Sequence, residues 1–148
     1  MINRYCLDKM KQIWEMQSKF EYYLKVELAV CEAYAQMGEI PLDALEQIKR
    51  DAKFDLKRID EIEAEVHHDV IAFLTCVNES LGENAKYMHK GLTSSDVIDT
   101  AYALQIKDAS QIISDDLVKV IVTLKAMAKK YKDTVCIGRS HGIHAEVT

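Results

Sequence analysis

The stretch that decides the fold is Val97–Tyr131, which reads VIDTAYALQIKDASQIISDDLVKVIVTLKAMAKKY. Its apolar residues recur at alternating steps of four and three, which is the period of an amphipathic α-helix. The members of this stripe are Ile98, Tyr102, Ile106, Ala109, Ile113, Leu117, Val120, Leu124, Met127 and Tyr131. A second, partial stripe through Val97 and Ala101 widens the apolar face. We therefore predict a helix of about 35 residues, roughly 50 Å long, whose apolar face is covered by further chain or by other subunits.

The segments before this helix carry the start and stop signals of shorter helices. Ser18 with Glu21 matches a capping box, and the helical pattern that follows ends at Gly38. Pro41 stands at a first-turn position of a short helix, and Asp55 is placed to cap the next one. These signals predict a succession of helices in the first half of the chain.

Two loops are predicted on either side of the long helix. Residues 83–93 form the first loop, and Thr93 with Asp96 then caps the long helix. Residues 135–147 form a second loop, which glycines punctuate. The sequence reaches Thr148 without a closing element, so we expect it to continue within a larger fold.

Composition favours a globular helical protein and excludes several classes. Of the 148 residues, 49% are apolar and 29% are charged, and a single proline with five glycines leaves little material for turns. The 24 acidic and 19 basic residues give a net charge of −5, which argues against nucleic-acid binding. No apolar run approaches the roughly 18 residues of a membrane span, and no secretory signal is seen. The four cysteines form no C-x-x-C pair, so we expect buried, reduced thiols and a cytoplasmic location.

Histidines are the residues that point most directly to chemistry. Five of them fall in three clusters, which are His67-His68 beside Asp69, His89, and His141-x-x-His144. Histidine changes charge near neutral pH, which suits it to proton transfer. A neighbouring carboxylate such as Asp69 can hold an imidazole in one tautomer. Each histidine taken alone is equally well explained as an ordinary core or surface residue.

Metal binding is the alternative interpretation of these clusters. Imidazole and carboxylate groups are zinc ligands, and each cluster could supply some. However, no spacing matches a standard zinc motif, and the cysteines do not join the clusters. We predict no metal site and no cofactor.

Two glycine-containing segments place hydrogen-bond donors beside the histidines. GLTSSD brings the hydroxyls of Thr93 and Ser94 to a helix start, where free backbone N–H groups bind carboxylates and phosphates. The same residues would cap the helix in any case. GRSHG sets Ser140 next to His141, and this segment could equally be an ordinary turn.

The combination of these segments resembles the adenylosuccinate lyase family of the fumarase/aspartase superfamily. The resemblance covers the whole chain through MINRY, KFDLKRIDEIE, HHDVIAF, HKGLTSSDVIDTA and GRSHGIHAEVT. It implies an all-α fold, with an N-terminal helical domain over residues 1–92 and the start of a central helical-bundle domain over residues 93–148. In that family the bundle forms the core of a homotetramer, which suits the long apolar helix.

The resemblance also implies a reaction and roles for individual residues. The family cleaves the C–N bond of adenylosuccinate, and of the related succinyl carboxamide ribotide in purine synthesis, and releases fumarate. The implied catalytic residues are His141, as the acid that protonates the departing nitrogen, and His68. The implied substrate-binding residues are His67 and Asp69 beside His68, Thr93 and Ser94 on a succinyl carboxylate, Ser140 beside His141, and Arg4, Tyr5 and His89 on the phosphate side.

No strong base stands among these residues. In the family the base is a serine on a mobile loop much further along, so the resemblance implies that these 148 residues alone are inactive. We expect a small purine nucleotide and further copies of the chain as partners, with neither nucleic acid nor membrane. Two alternatives stay open: a non-catalytic helical oligomerisation module, and a sibling lyase that acts on another succinyl or amino-acid substrate.

Overall fold

The computed structural model describes residues 2–148 and consists of six α-helices, two short 3-10 segments and a β-hairpin. The helices are α1 (Asp8–Ile13), α2 (Met16–Gln36), α3 (Leu42–Asp51), α4 (Leu56–Val66), α5 (Asp69–Asn78) and α6 (Ser94–Lys130). The 3-10 segments are Asn3–Tyr5 and Gly82–Tyr87, and the strands are β1 (Ile137–Ser140) and β2 (Ile143–Val147). The predicted helical fold class is confirmed. The chain divides into two compact units, one up to Ser110 and one over Gln111–Thr148.

The core of the first unit is built around a group of aromatic rings. Phe20 of α2 stacks on Phe73 of α5 with ring centroids 5.5 Å apart. Tyr23 meets both rings edge-on, and Phe54, which lies between α3 and α4, packs against Phe20 and Phe73. Such pairs stabilise a fold beyond the area that they bury. The cluster fixes α2 and α5 against each other, and α5 begins at the candidate residue Asp69.

Within the first unit, α6 packs on the core through members of both predicted stripes. Its buried residues are Val97, Ala101, Gln105 and Ala109. Val97 and Ala101 belong to the second, partial stripe and Ala109 to the main one, and Ile98 of the main stripe packs against the core as well. Tyr102 and Ile106 of the main stripe are 55% and 44% exposed. The buried Gln105 amide donates to the carbonyl of Ile13 at 2.7 Å, which satisfies one polar group of the interface.

The predicted caps are partly confirmed. The carboxylate of Asp55 accepts a hydrogen bond from the backbone N–H of Arg58 at 2.9 Å, as an N-cap does. The predicted capping box of Ser18 with Glu21 is wrong. Helix α2 begins at Met16, so Ser18 lies inside it and its hydroxyl donates to the carbonyl of Gln12. The predicted loop over residues 83–93 begins with a 3-10 segment.

The second unit contains the rest of α6 and the β-hairpin. The exposed apolar side chains of this part of α6 include Ile113, Leu117, Val118, Val120, Ile121, Val122, Leu124 and Met127. That further chain or other subunits bury this face therefore stays a prediction. The predicted loop over residues 135–147 is wrong, because strands β1 and β2 pair antiparallel there, with Ser140 opposite Ile143. The division into domains at residue 92 also stays a prediction.

The cysteines are all free thiols, and two of them match the expected burial. Cys31 and Cys76 are buried, Cys6 is half-buried, and Cys136 is exposed. Burial raises the pKa of the Cys31 thiol to about 11, with nearby carboxylates adding to the effect. Among residues 2–148, no helix is both long enough and apolar enough to cross a membrane.

Candidate active site

The residues between α4 and α5 form the wall of an open cleft. His67 is the C-cap of α4 and takes a left-handed conformation with φ of 54°, and the next residue, His68, is the N-cap of α5. The cleft has a volume of about 490 Å³ and is lined by Met16, Lys19, Phe20, Glu63, His67, His68 and Asp69. The three predicted residues of this cluster are therefore brought together by a tight helix-to-helix connection.

The orientation of His68 is set by the backbone of α5. Its ring Nδ1 accepts a hydrogen bond from the N–H of Ile71 at 3.4 Å, which caps the helix. The expectation that Asp69 holds this imidazole is not met, because Nδ1 lies 3.7 Å from the carboxylate. Asp69 instead accepts from the N–H of Val70 at 2.8 Å. With Nδ1 acting as an acceptor, the ring hydrogen of His68 resides on Nε2.

Lys19 is a cleft residue that the sequence did not single out. Its ammonium lies 3.8 Å from the second oxygen of Asp69 and over the rings of Phe20 and Tyr23, at 5.3 Å from each centroid. The aromatic faces and the carboxylate both attract a cation. Lys19 therefore adds a positive charge to the lining of a cleft that His67 and His68 also line.

His89 is held by a buried carboxylate on α2. Glu27 is fully buried, and its two oxygens lie 2.9 Å from the His89 backbone nitrogen and 2.7 Å from the ring Nδ1. The His89 side chain is 22% exposed, and its Nε2 makes no hydrogen bond within the described chain. Nothing in the sequence pattern distinguished Glu27, because it lies in an ordinary helical segment 62 residues before its partner.

The start of α6 carries the predicted hydroxyl pair. Asp96 accepts hydrogen bonds from the backbone N–H of Thr93 at 2.7 Å and from its hydroxyl at 2.8 Å. These bonds hold the pKa of the Asp96 carboxyl below its ordinary value. The Ser94 hydroxyl makes no hydrogen bond to any other residue in the part of the chain that the structure describes. Of Thr93 and Ser94, Ser94 is therefore the residue whose hydroxyl is free to donate a hydrogen bond to a ligand.

Arg4 and Tyr5 lie together at the N-terminal end of the first unit. Both belong to a 3-10 segment and are exposed, and the guanidinium carbon lies 4.8 Å from the centroid of the tyrosine ring. The ring holds the arginine over its face, where a cation is favoured. No hydrogen bond or ion pair joins either side chain to another residue between 2 and 148, so both can reach a ligand.

Ser140 and His141 are placed by the hairpin of the second unit. His141 and Gly142, with φ of 52° and 78°, form the two-residue turn between β1 and β2. Positive φ at both central positions is the geometry of a type I′ turn, whose twist matches that of paired strands. The turn exposes His141 at the tip, while Arg139 contacts His144 across the strands at 3.2 Å. The sequence signal that could have predicted this hairpin is the His-Gly pair between two segments of extended chain.

Backbone geometry links three of the candidate histidines. Among residues 2–148, the residues other than glycine with positive φ are His67, His89 and His141. Such conformations cost free energy and cluster at active sites and ligand clamps. This pattern supports all three as site residues, and their roles stay predictions. No group of three or more His, Cys, Asp or Glu residues in the described chain is placed to hold a metal ion.

Comparison with known proteins gives a consistent result. A family model described as a lyase matches residues 4–148. The chain is 53% identical over 146 residues to the adenylosuccinate lyase of Synechocystis sp., which is 99% of this chain and 34% of that protein. It is 47% identical over all 148 residues to the adenylosuccinate lyase of Staphylococcus saprophyticus, again 34% of that protein. The chain thus spans about a third of the length of the curated relatives that it matches.

Solved structures share the fold. A fumarate lyase from Mesorhizobium sp. BNC1 superposes with a TM-score of 0.87 at 32% identity, over 95% of this chain and 34% of that one. A β-carboxy-cis,cis-muconate cycloisomerase from Acinetobacter calcoaceticus superposes with a TM-score of 0.86 at 27% identity, over 95% of this chain and 35% of that one. Since the family model matches from residue 4 to the last residue, the chain belongs to this lyase family.

Proposed function

We propose that the protein is an adenylosuccinate lyase, which cleaves adenylosuccinate to AMP and fumarate by β-elimination. The observation that carries this proposal is the 47% identity to an adenylosuccinate lyase over all 148 residues, a span that includes every candidate residue. We also propose the succinyl carboxamide ribotide as a second substrate. The proposed location is the cytoplasm. No cofactor takes part in the proposed reaction.

The elimination needs a base for the carbon proton, an acid for the leaving nitrogen, and hydrogen-bond donors for the carboxylate charge that builds up. A base removes a proton from the succinyl carbon, the electrons of that bond form the double bond of fumarate, and the C–N bond breaks. The nitrogen must then receive a proton, and His141 is the proposed acid. Its position at an exposed turn gives its ring access to a ligand. His68 is a second proton-transfer candidate, because its Nε2 hydrogen is not used by the helix cap.

The remaining candidates are proposed to position the substrate. The Ser94 hydroxyl and the N–H groups at the start of α6 would bind a succinyl carboxylate, since a helix start favours anions. Thr93 would join them by exchanging its hydrogen bond with Asp96 for one with the substrate. His67 and Asp69 belong to the cleft around His68. Ser140 is proposed to act beside His141, and Arg4, Tyr5 and His89 on the side of the nucleotide phosphate.

The active form is proposed to be a homotetramer. The second part of α6 exposes Leu117, Val120, Leu124 and further large apolar side chains, which another helix can bury. We also propose that the base comes from a serine outside these 148 residues, so that the 148-residue chain alone releases no fumarate.

The deciding experiment follows adenylosuccinate cleavage by absorbance for the protein of native length and for its His141→Ala variant. We expect cleavage by the unmodified protein and a loss of roughly 10²-fold or more in the variant. Retained cleavage in the variant would assign proton transfer to another residue, with His68 next. Fumarate release by the 148-residue chain would refute its proposed inactivity.

Two alternatives are separated by the same assay. A sibling lyase would leave adenylosuccinate intact and cleave another succinyl or amino-acid substrate. A helical oligomerisation module would assemble, yet bind neither adenylosuccinate nor AMP in a titration.

A further inference from the structure

The segment Tyr87–Gly91 lies along one face of α2, where three residues of that helix contact it. Glu27 bonds to His89, the thiol of Cys31 lies 3.7 Å from the Tyr87 carbonyl, and the hydroxyl of Tyr34 lies close to Gly91. Positions 27, 31 and 34 follow the i, i+4, i+7 spacing of one helix face. The loop that bears His89 is therefore fixed on α2 as well as by the bond from the Leu92 backbone N–H to the His89 carbonyl at 3.4 Å.

Glu27 is the unusual member of this face. Among the described residues it is the charged residue that is fully buried, with no exposed side-chain area. A buried carboxylate is costly unless both oxygens are hydrogen-bonded. Here both oxygens are used on His89, one by the backbone N–H and one by ring Nδ1. The contact also holds His89 in its left-handed conformation, with φ of 58°.

We propose that Glu27 is a positioning residue that fixes the rotation and the tautomer of His89, so that Nε2 is the nitrogen presented to the substrate. A carboxylate can only accept hydrogen bonds, so Nδ1 must carry a hydrogen. The side chain is partly exposed and its Nε2 makes no hydrogen bond within the described chain, so Nε2 is the nitrogen left for a ligand. This inference rests on the proposed function in one respect, the identity of the ligand as a phosphate. The contact between Glu27 and His89 is independent of that function.

The contact between Glu27 and His89 also determines the charge of the His89 ring when a phosphate is bound. A phosphate oxygen accepts, so Nε2 must donate while Nδ1 donates to Glu27. The ring bound to phosphate then carries both hydrogens and a positive charge, which the Glu27 carboxylate offsets from behind. Hydrogen bonds to phosphate from a charged donor are about twice as strong as neutral ones.

Replacing Glu27 by glutamine makes a sharp prediction. The backbone N–H of His89 cannot change, so the glutamine oxygen must accept from it. The glutamine NH₂ group then faces Nδ1, which has to become an acceptor. Glu27→Gln should therefore move the ring hydrogen of His89 from Nδ1 to Nε2 and remove the positive charge.

The matched control is Glu32→Gln. Glu32 lies on the same helix, and its carboxylate pairs with Lys49 at 2.6 Å on the surface. The chemical change is the same, but the partner is an exposed lysine and not His89. A general effect of removing one acidic group from α2 would appear in both variants.

The first test is nitrogen NMR of the native-length protein with ¹⁵N-labelled histidine rings, and His89→Gln identifies the His89 signals. We expect a protonated Nδ1 in the unmodified protein and in Glu32→Gln, and an unprotonated Nδ1 in Glu27→Gln. An unprotonated Nδ1 in the unmodified protein would overturn the proposal, and this measurement stands even if Glu27→Gln fails to fold. The same spectrum for Glu27→Gln and the unmodified protein would also overturn it.

The second test measures kcat and KM for adenylosuccinate. Glu27→Gln should raise KM about tenfold, with a smaller change in kcat, because a charged hydrogen bond to the phosphate is weakened. The effect should vanish in a His89→Gln background, since Glu27 acts through His89. A KM rise that persists in that background would contradict the proposal. Absence of cleavage by the unmodified protein would refute the proposed function and leave the NMR test to decide the role of Glu27.

Discussion

The ring of His68 accepts a hydrogen bond from the backbone N–H of Ile71, three residues further along, at 3.4 Å. The same imidazole thus caps α5 and directs its Nε2 hydrogen away from the helix. The two roles of His68, capping α5 and supplying an imidazole for proton transfer, can therefore be tested separately.

Substitutions at His68 should separate stability from catalysis. His68→Asn keeps a good N-cap, whereas His68→Ala removes it and should cost about 0.5–1 kcal/mol of unfolding free energy. Both variants lose the imidazole and should lose adenylosuccinate cleavage to a similar extent. Urea unfolding of the chain and turnover by the native-length protein measure the two effects. If turnover follows stability, with His68→Asn active and His68→Ala impaired, then His68 acts as a cap alone.

The approach of Tyr34 to Gly91 gives a second prediction. Gly91 has φ of 71°, and a Cβ added there would lie 2.5 Å from the Tyr34 hydroxyl oxygen. Gly91→Ala should therefore cost about 2–3 kcal/mol of unfolding free energy, from the left-handed backbone together with overpacking. Urea unfolding measures the loss.

Gly38→Ala is the matched control for this substitution. Gly38 has φ of 78°, but an added Cβ would meet nothing within 4 Å. The control should show the backbone cost alone, about 1 kcal/mol. Adding Tyr34→Phe to Gly91→Ala should recover most of the difference. Equal losses for the two alanine variants would mean that Tyr34 moves aside freely.

The sequence predicted those features whose residues lie within about one helical turn of each other along the chain. The cap at Asp55 joins residues three apart, and the period of α6 repeats within each turn. The contact between Glu27 and His89 spans 62 residues. Its existence depends on how α2 packs against the loop, so the local pattern of α2 did not reveal it. The local period of α6 likewise defines its apolar face, but not which part of that face the first unit buries.

The turn at His141 predicts which substitution tests catalysis cleanly. Asparagine adopts the left-handed conformation readily, and Asn-Gly is a preferred type I′ pair. His141→Asn should therefore keep the hairpin that His141 and Gly142 form, and remove the imidazole. We expect cleavage to fall by roughly 10²-fold or more. Cross-strand NOEs between residues 137 and 147 verify the hairpin, and full activity with an intact hairpin would exclude His141 as the acid.

The contact between Tyr22 and Asp108 predicts alkaline sensitivity of the first unit. The Tyr22 hydroxyl donates to the Asp108 carboxylate at 2.5 Å, and burial together with this bond raises the pKa of Tyr22 to about 12. Burial first, and then the charge of Asp69, likewise raises the pKa of Tyr23 to about 12. In the unfolded chain both groups lose their protons near pH 10.

The sign of the pH effect follows from these raised values. Above pH 10 the unfolded chain binds fewer protons than the folded one, so the unfolding free energy falls as the pH rises. The stabilisation from both tyrosines is complete below pH 10 and lost between about pH 10 and 12. Urea unfolding at a series of pH values measures this slope, and Tyr22→Phe should reduce it by removing one titrating group. A slope that Tyr22→Phe leaves intact would show that other groups cause the alkaline loss.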